Sequence, residues 1–348
     1  MMKHPAHPGT GELVAGAITR AVEACGLPAG TFSFLHGDAE FAHALVRHPL
    51  TRAVGFTGST FAGRALFDTA SARPEPIPVF AEMSSVNPVF ILPGAMRERG
   101  PQIAEGLKNS VLLGVGQFCT KPGLVFAVGG PEMQAFAAHF AKLIEESAPA
   151  TMLHAGIRDS FQKGVDAIAK TRGAISLATA DAEPISAKTQ GGAAAFATDL
   201  DDLLRQPELQ HEVFGPYSLL VDVNNPHELV RAARSLNGQL TATLHATPDD
   251  LAAAGDLLAV LERKAGRLLI NGFPTGVEVA PAMHHGGPFP ATTDSRFTSV
   301  GTAAIQRFAR PVCFQNFPAS ALPPELLDQN PRGLMRLING QLTRDPVG

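Results

Sequence analysis

The stretch LLVDVNNPHELVRAARSLNGQLTATLH, residues 219–245, decides the fold class. The apolar runs Leu219 to Val223 and Leu240 to His245 have the length of buried strands. Between them, Pro226 to Leu236 has apolar residues at helical spacing, and Asn225 stands where a helix N-cap belongs. A strand, a helix and a second strand in succession are typical of parallel strands in an α/β sheet.

The same alternation extends from this stretch along the chain. Strands are predicted at Val54 to Phe56, Pro78 to Glu82, Pro88 to Leu92, Leu124 to Val128 and Arg267 to Ile270. Helices are predicted at Leu13 to Val22, Phe61 to Ser71, Pro101 to Leu113, Glu132 to Glu146 and Pro248 to Lys264. Because helices separate most of the strands, we predict an α/β fold whose sheets are largely parallel and covered on both faces.

The composition narrows the function classes. The 348 residues, 45% hydrophobic and 17% charged, suffice for two ordered domains. A net charge of −4 without a basic stripe argues against a nucleic-acid partner. The apolar runs are too short to cross a bilayer and three cysteines cannot form a full disulfide framework, so we expect no membrane association and a cytoplasmic location. No cysteine or histidine pair has the spacing of a zinc motif, so no metal site is expected.

Cys119 is a candidate nucleophile. It lies in the segment Gly114 to Thr120, whose glycines let the backbone approach a ligand closely. A thiolate is a strong nucleophile, and backbone N–H groups in this segment could lower the thiol pKa and bind an oxyanion. The alternative is a cysteine of the apolar core, as free cysteines often are, and the residue alone does not separate the two.

Glu82 is a candidate general base. It follows the apolar strand Pro78 to Ala81, and α/β folds place ligands at the carboxyl ends of parallel strands. Burial there is expected to raise the carboxyl pKa, which suits a general base. A helix cap or an ion pair is the alternative for an isolated glutamate.

Two further segments have features of ligand-binding loops. Gly58 to Gly63 lies between a predicted strand and a predicted helix, where backbone N–H groups can bind phosphate, although it lacks GxGxxG spacing. Glu212 to Pro216 combines an acid, an aromatic side chain and a rigid Gly-Pro turn, which suits a ribose and a planar ring. Considered singly, ordinary turns explain both segments equally well.

Taken together and in this order, the four segments resemble the aldehyde dehydrogenase superfamily. The resemblance rests on Gly116-Gln117-Phe118-Cys119, FAEMSSVNP at residues 80–88, the Gly58 to Gly63 turn and EVFGP at residues 212–216. Asn271 and the turn His284 to Gly287 also match in order.

The resemblance implies a role for each matched residue. Cys119 attacks the aldehyde carbon, and Glu82 activates the water that hydrolyses the resulting thioester. Phe118 and His285 are expected to face the substrate. The expected cofactor-binding residues are Gly58, Ser59, Gly63, Met83, Glu212 and Phe214.

The resemblance also implies an architecture. An aldehyde dehydrogenase-like fold would have a partial doubly wound, Rossmann-like NAD(P)-binding domain at residues 1–82 and an α/β catalytic domain at residues 83–290. A C-terminal wrapping segment would follow at residues 291–348. Members of this family form homodimers or homotetramers, so a homo-oligomer is expected.

Within the family, EMSSVNP at residues 82–88 and the stretch at residues 268–276 are similar to the α-ketoglutaric semialdehyde dehydrogenases. This resemblance implies that α-ketoglutaric semialdehyde is oxidised to the carboxylic acid with NADP or NAD as the cofactor. NADP-dependent fatty-aldehyde enzymes share part of the pattern and are an alternative.

The chain departs from the family at its first residues. The family has a long segment before the position of Met1, including an asparagine of the oxyanion hole, so a truncated and catalytically incomplete fragment is a further alternative. Pro5 stands where many NAD-specific members have a glutamate, and without that carboxylate we expect NADP to be accepted. Lys121 stands where the subgroup often has an uncharged residue; it either favours an acidic aldehyde or is a solvated surface lysine.

Two other enzyme classes use a comparable cysteine. Relatives that pass the thioester to coenzyme A usually lack the base, so Glu82 argues against them. A cysteine hydrolase needs a histidine near Cys119, and no local motif supplies one.

Overall fold

Helices and strands alternate along residues 1–307, which form the first of two units; residues 308–348 form the second. The computed structural model describes residues 2–3 and 6–347. The strands of the first unit are β1 (Met2–Lys3), β2 (Leu35–His36), β3 (Val54–Thr57), β4 (Val79–Glu82), β5 (Val89–Ile91), β6 (Leu124–Val128), β7 (Ala150–Thr151), β8 (Ile175–Thr179), β9 (Gln190–Gly191), β10 (Ala194–Asp199), β11 (Tyr217–Val223), β12 (Gln239–His245) and β13 (Ala265–Ile270). Its α-helices are α1 (Pro8–Ala24), α2 (Ala39–Arg47), α3 (Thr60–Ser71), α4 (Pro93–Leu112), α5 (Pro131–Glu145), α6 (Ala155–Lys170), α7 (Leu200–Arg205), α8 (Pro226–Ser235), α9 (Pro248–Ala253) and α10 (Gly255–Leu261).

The largest sheet has seven strands in the order β13-β12-β5-β6-β11-β10-β8. All neighbouring pairs are parallel except β10 with β8, which is antiparallel. The predicted α/β fold with a largely parallel sheet is therefore confirmed. Strands β11 and β12, which the deciding stretch predicts, are separated in the sheet by β6 and β5.

Both faces of this sheet are buried because its central strands are apolar on both sides. On one face, Phe90 of β5 and Phe126 of β6 stack with ring centroids 4.9 Å apart. The other face packs against Leu107 of α4 and against Phe136 and Phe140 of α5. Burying one such side chain fully contributes about 1.5–3 kcal/mol, so the two apolar layers hold the strand ends in place.

Strands β3 and β4 form a separate parallel pair, with Glu82 at its carboxyl end. Helix α3 packs on this pair through Leu66 and Ala70. The other edge of β4 is paired with residues 291–293, where Met83 N donates to Ala291 O at 2.7 Å and Thr293 N donates to the carbonyl of residue 81 at 3.1 Å. This pairing fixes the chain near Glu82 from a position about two hundred residues later in sequence.

The predicted strands and helices are all present, and three helices differ clearly in extent. Helix α1 begins at Pro8, five residues before the predicted start. The helix predicted at Pro248 to Lys264 is broken into α9 and α10, since Gly255 weakens helical structure at the break. Helix α4 begins eight residues before the predicted start, at Pro93, and bends at Arg99, two residues before Pro101.

Other elements have no strong sequence signal. Strand β10 is rich in alanine, a poor strand former, and edge strand β8 has no regular alternation of buried and exposed residues. Helix α6 contains Gly156 and Gly164, which lower its intrinsic helix propensity. These elements form because the apolar sheet face accepts them, which is a tertiary effect.

The second unit contains short 3₁₀ turns and the antiparallel strands β14 (Arg336–Ile338) and β15 (Gln341–Thr343). Its Asn330 Nδ2 donates to Leu334 O at 2.9 Å and to Arg344 O at 2.8 Å. Across the described residues of both units, no helix combines the length and apolar character that a membrane span requires.

Candidate active site

The site lies between the seven-stranded sheet and the β3-β4 pair of the first unit. Cys119 lies in the loop before β6, and Glu212 lies in the loop before β11, so both are at the amino ends of strands of the large sheet. Glu82 reaches the same place from the carboxyl end of β4. The predicted position of Glu82 at a strand's carboxyl end is confirmed, whereas the cysteine uses the opposite strand ends.

The backbone before Cys119 is left-handed at three consecutive residues. Gly114, Val115 and Gly116 have φ values of 57°, 58° and 65°. Such values strain a β-branched side chain like that of Val115. A Cβ atom on Gly116 would overlap the carbonyl group of Gly215. Residues 113–123, between α4 and β6, form the cysteine loop. Glycine is therefore required where this loop contacts the loop that carries Glu212.

Asn87 binds two backbone carbonyl groups of the cysteine loop. Its Nδ2 donates to Cys119 O at 2.9 Å and to Lys121 O at 3.0 Å. Its backbone has a φ of 47°, a conformation that asparagine tolerates better than most residues. The side chain is 1% exposed, so these bonds act without competition from water.

A buried polar network supports Asn87 in turn. Gln239 Oε1 accepts from Val86 N at 2.8 Å and lies 2.9 Å from Ser85 Oγ. Thr241 Oγ1 donates to Asn87 Oδ1 at 3.0 Å. No sequence motif had indicated a functional role for Asn87, Gln239 or Thr241. Their signal is a group of polar residues at the start of otherwise apolar strands.

Cys119, Glu82 and His285 come together at the centre of the site. His285 Nε2 lies 3.4 Å from Cys119 Sγ and 3.1 Å from Glu82 Oε1. Ser299 Oγ donates to Glu82 Oε2 at 2.7 Å, and Ser299 was also missed in the sequence. The loop of His285 is fixed because its backbone N–H donates to Thr298 and its carbonyl accepts from Ser299 N.

The structure places a histidine beside Cys119, which no local motif had indicated. A hydrolase triad uses one imidazole nitrogen for the nucleophile and the other for the acid or amide that orients the ring. Here both Cys119 and Glu82 contact the same His285 nitrogen, and Nδ1 is buried without a hydrogen-bond partner in the described part of the chain. The geometry therefore differs from that of a hydrolase triad.

The expected lowering of the Cys119 pKa is wrong. Burial raises the pKa of this thiol to about 12, and the negative charge of Glu82 and its hydrogen bond act in the same direction. The backbone hydrogen bond at Cys119 lowers the pKa but is outweighed. At rest, the sulfur is a protonated thiol that donates to the Glu82 carboxylate.

The expected rise of the Glu82 pKa is also wrong. Burial raises it, but the hydrogen bond and charge of His285, with hydrogen bonds from Ser299 and Cys119, bring the pKa below its usual value. Glu82 is therefore a carboxylate at neutral pH, ready to accept a proton.

The interpretation of Lys121 as a solvated surface lysine is wrong, because the residue is 2% exposed. Its influence on the choice of aldehyde stays a prediction. Its Nζ donates to Val213 O at 3.1 Å and to Tyr217 O at 3.0 Å, so it connects the cysteine loop to the Glu212 loop. Burial lowers its pKa to about 8, which the charge of Glu212 partly opposes. Burial raises the pKa of Glu212, against the charge of Lys121 and hydrogen bonds from Ser84 and Ser85 N.

The glycine turn forms the amino end of helix α3. Ser59 is the N-cap, and its Oγ accepts from Ala62 N at 3.3 Å. Gly58 and Ser59 are exposed, and the first turn of α3 carries no acidic residue, so the helix end is open to an anion. A Cβ atom on Gly63 would lie 2.7 Å from Met83 Sδ, and Met83 is buried in the core beneath the helix.

A cavity of about 420 Å³ lies beside these residues. Its lining includes Thr57 at the end of β3, Glu82, His285 and Ser299. Phe118 and Phe214 are half-buried in the two loops that meet at Gly116. Pro5, on which the expected acceptance of NADP rests, lies outside the described residues.

Comparison with known proteins agrees with this arrangement. The family model described as "Aldehyde dehydrogenase family" matches residues 7–290. Alpha-ketoglutaric semialdehyde dehydrogenase 2 of Azospirillum brasilense is 49% identical over 97% of this chain and 64% of its own length. The alpha-ketoglutaric semialdehyde dehydrogenase of Acinetobacter baylyi is 48% identical over 98% of this chain and 65% of its own. The chain thus spans just under two thirds of the length of these relatives.

Among solved structures, a putative methylmalonate-semialdehyde dehydrogenase from Sinorhizobium meliloti 1021, complexed with NAD, superposes with a TM-score of 0.70. It is 20% identical, and the match covers 85% of this chain and 60% of that one. This likeness supports the fold. With the family match over most of its length and the cysteine and glutamate in contact, the chain belongs to the aldehyde dehydrogenase family.

Proposed function

We propose that this chain carries the catalytic residues of an α-ketoglutaric semialdehyde dehydrogenase, which oxidises that aldehyde to the carboxylic acid with NADP or NAD. The observation that carries the proposal is the contact of the Cys119 thiol with the Glu82 carboxylate. The two relatives with nearly half of their matched residues identical support the choice of aldehyde.

The first step requires a thiolate, and Glu82 is placed to make it. Glu82 accepts the thiol proton of Cys119 as the sulfur forms a bond to the aldehyde carbon. His285 and Ser299 bind the carboxylate from its other sides, at 3.1 and 2.7 Å. They keep Glu82 ionised until the proton is needed.

The second step releases the acid. Once the substrate carbon has lost its hydride, the acyl group is a thioester on Cys119, and Glu82 has released to solvent the proton that it took from the thiol. Glu82 then accepts a proton from water, the water oxygen bonds to the acyl carbon and the C–S bond breaks. The carboxylic acid leaves, and the proton returns to the sulfur of Cys119.

The residues present fit a nicotinamide dinucleotide. The open amino end of α3, with Gly58 and Ser59, would hold the pyrophosphate, and Gly63 allows the close packing of that helix. Glu212 would hold the nicotinamide ribose, and Phe214 would pack near the ring. Met83 would contribute through its backbone because its side chain is in the core. The cofactor, when bound, accepts the hydride.

Phe118 and His285 remain our predicted substrate contacts, and a homo-oligomer remains the predicted assembly. Acceptance of NADP rests on Pro5 in place of a glutamate.

Nucleotide reduction by the purified chain tests the proposal. The aldehydes would be α-ketoglutaric semialdehyde and a fatty aldehyde of similar reactivity, each with NADP and with NAD. We expect the semialdehyde to have the higher kcat/KM and NADP to be used. A preference for the fatty aldehyde, or turnover that requires coenzyme A, would contradict the proposed substrate and reaction.

A further inference from the structure

Three side chains at the centre of the site offer the ligand atoms of a metal ion. Cys119 Sγ, His285 Nε2 and a Glu82 carboxylate oxygen all lie within 4.8 Å of one another. Zinc binds sulfur at about 2.3 Å, imidazole nitrogen at about 2.0 Å and carboxylate oxygen at about 2.0 Å in tetrahedral geometry. These lengths put neighbouring ligand atoms roughly 3.3–3.6 Å apart. The observed separations from His285 Nε2, 3.4 Å to sulfur and 3.1 Å to oxygen, are close to those values.

The surroundings hold these ligands in position. Ser299 Oγ donates to Glu82 Oε2, which leaves Oε1 directed at His285 and available to an ion. The backbone of His285 is bound at its N–H and at its carbonyl, and Asn87 holds the carbonyl of Cys119. A ligand set whose own positions are fixed loses little conformational freedom when an ion binds.

We propose that Cys119, Glu82 and His285 bind Zn²⁺ reversibly, with the fourth coordination position open, and that the bound ion inhibits the chain by masking the nucleophile. Binding forms a Zn–S bond and releases the thiol proton of Cys119 to solvent. Three protein ligands and an open position form a common zinc arrangement. A histidine that binds a metal usually donates its other ring N–H to a partner. His285 Nδ1 has no partner in the described residues, so we expect weak and reversible binding.

The sequence contains no zinc motif because the ligands come from three distant segments, and Glu82 and His285 are 203 positions apart. Zinc binding does not depend on the proposed substrate or cofactor, since it involves only the three side chains. The proposed ion is also not a structural one, because the core of the fold consists of apolar layers elsewhere.

Alkylation of the wild-type chain tests the site without a mutation. Iodoacetamide would modify Cys119, and the exposed Cys25 and Cys313 serve as controls within the same molecule. Zinc at about ten times its dissociation constant should slow modification of Cys119 by roughly tenfold. Cys25 and Cys313 should react at unchanged rates, as peptide mass spectrometry would measure. An unchanged rate at Cys119, or equal slowing at all three cysteines, would overturn the proposal.

Titration with Co²⁺, followed by thiolate-to-cobalt absorption, identifies the ligands. His285→Asn should weaken binding by roughly 100-fold or more, since even a residue behind the ligands changes affinity by 10–100-fold. His284→Asn, its neighbour in the same turn, should leave binding unchanged. If His285→Asn does not fold, Glu82→Gln carries the same expectation. Binding that is equally tight in the wild type and in a folded ligand variant would contradict the site.

Discussion

At the scale of single residues, the thiol of Cys119 becomes a nucleophile only when it transfers its proton to Glu82. The buried thiol of Cys119 has a raised pKa while its acceptor Glu82 has a lowered one. In the proposed reaction, attack therefore requires an aldehyde close enough to bond to the sulfur as the proton moves. A free thiolate would instead react with any electrophile that reached the cavity.

Replacing Glu82 by Gln should lower the pKa of Cys119. The carboxylate charge and hydrogen bond both raise that pKa from its ordinary value, and the amide removes the charge. The pH profile of iodoacetamide modification at Cys119 should therefore move to lower pH in Glu82→Gln. Glu132→Gln, on the first turn of α5, is the control. A profile that is unmoved, or that moves to higher pH, would contradict the assigned role of the charge.

Lys121 should make stability depend on pH. Its pKa is about 8 when folded against an ordinary value of 10.5, so from pH 8 to 10.5 the unfolded chain binds the proton that the folded chain has lost. Stability due to this residue should thus rise with pH across that window and be constant below it.

The measurement is urea unfolding of the wild type and Lys121→Met at several pH values. The difference in unfolding free energy should grow in favour of the wild type as the pH rises from 8. A difference that shrinks over the same window would mean that Lys121 is charged in the folded protein throughout.

At the scale of elements, two loops and one strand end build the site by backbone contact. Gly116 and Gly215 meet where the cysteine loop crosses the loop of Glu212, and Lys121 joins the same two loops through hydrogen bonds. Any side chain at Gly116 separates the nucleophile from the residue expected to hold the cofactor. The residues that position the nucleophile therefore also stabilise the loops of the site.

Gly116→Ala should be strongly destabilising. Alanine in a left-handed conformation costs about 1–2 kcal/mol, and its Cβ would also overlap the Gly215 carbonyl. Unfolding in urea should give a loss of at least that size. Gly255→Ala is the matched control because no atom lies within 4 Å of the added Cβ. Equal stability of the two variants would be inconsistent with the described loop contact.

Elements were predictable from sequence where periodicity was strong. Strands β6, β11 and β12 are apolar runs, and α8 has an asparagine cap and an apolar face. The roles of Asn87, Gln239 and Ser299 were not predictable, because each depends on a partner that packing brings from a distant segment. The same holds for the directions of both pKa shifts at the site, which burial and neighbouring side chains determine together.

At the scale of the whole molecule, the large sheet supports the loops that carry the site. Its two apolar layers are continuous, and the polar network of Asn87 lies at their edge. The domain boundaries predicted at residues 82 and 290 remain predictions.

Phe126→Ala should reduce the unfolding free energy by about 3–5 kcal/mol, since Phe126 is fully buried in the sheet and stacks on Phe90. Phe61→Ala is the control, because Phe61 is 86% exposed and its loss should change stability by less than about 0.5 kcal/mol. Thermal or urea unfolding measures both. Similar losses in the two variants would contradict the placement of the core.

We infer that Cys119 is the nucleophile of an aldehyde oxidation. The most direct measurement is absorbance of the reduced nucleotide with α-ketoglutaric semialdehyde, for the wild-type chain, Cys119→Ala and Cys313→Ala. We expect turnover in the wild type and in Cys313→Ala, and none in Cys119→Ala. Turnover that persists in Cys119→Ala, or a folded wild-type chain that reduces no nucleotide, would contradict it.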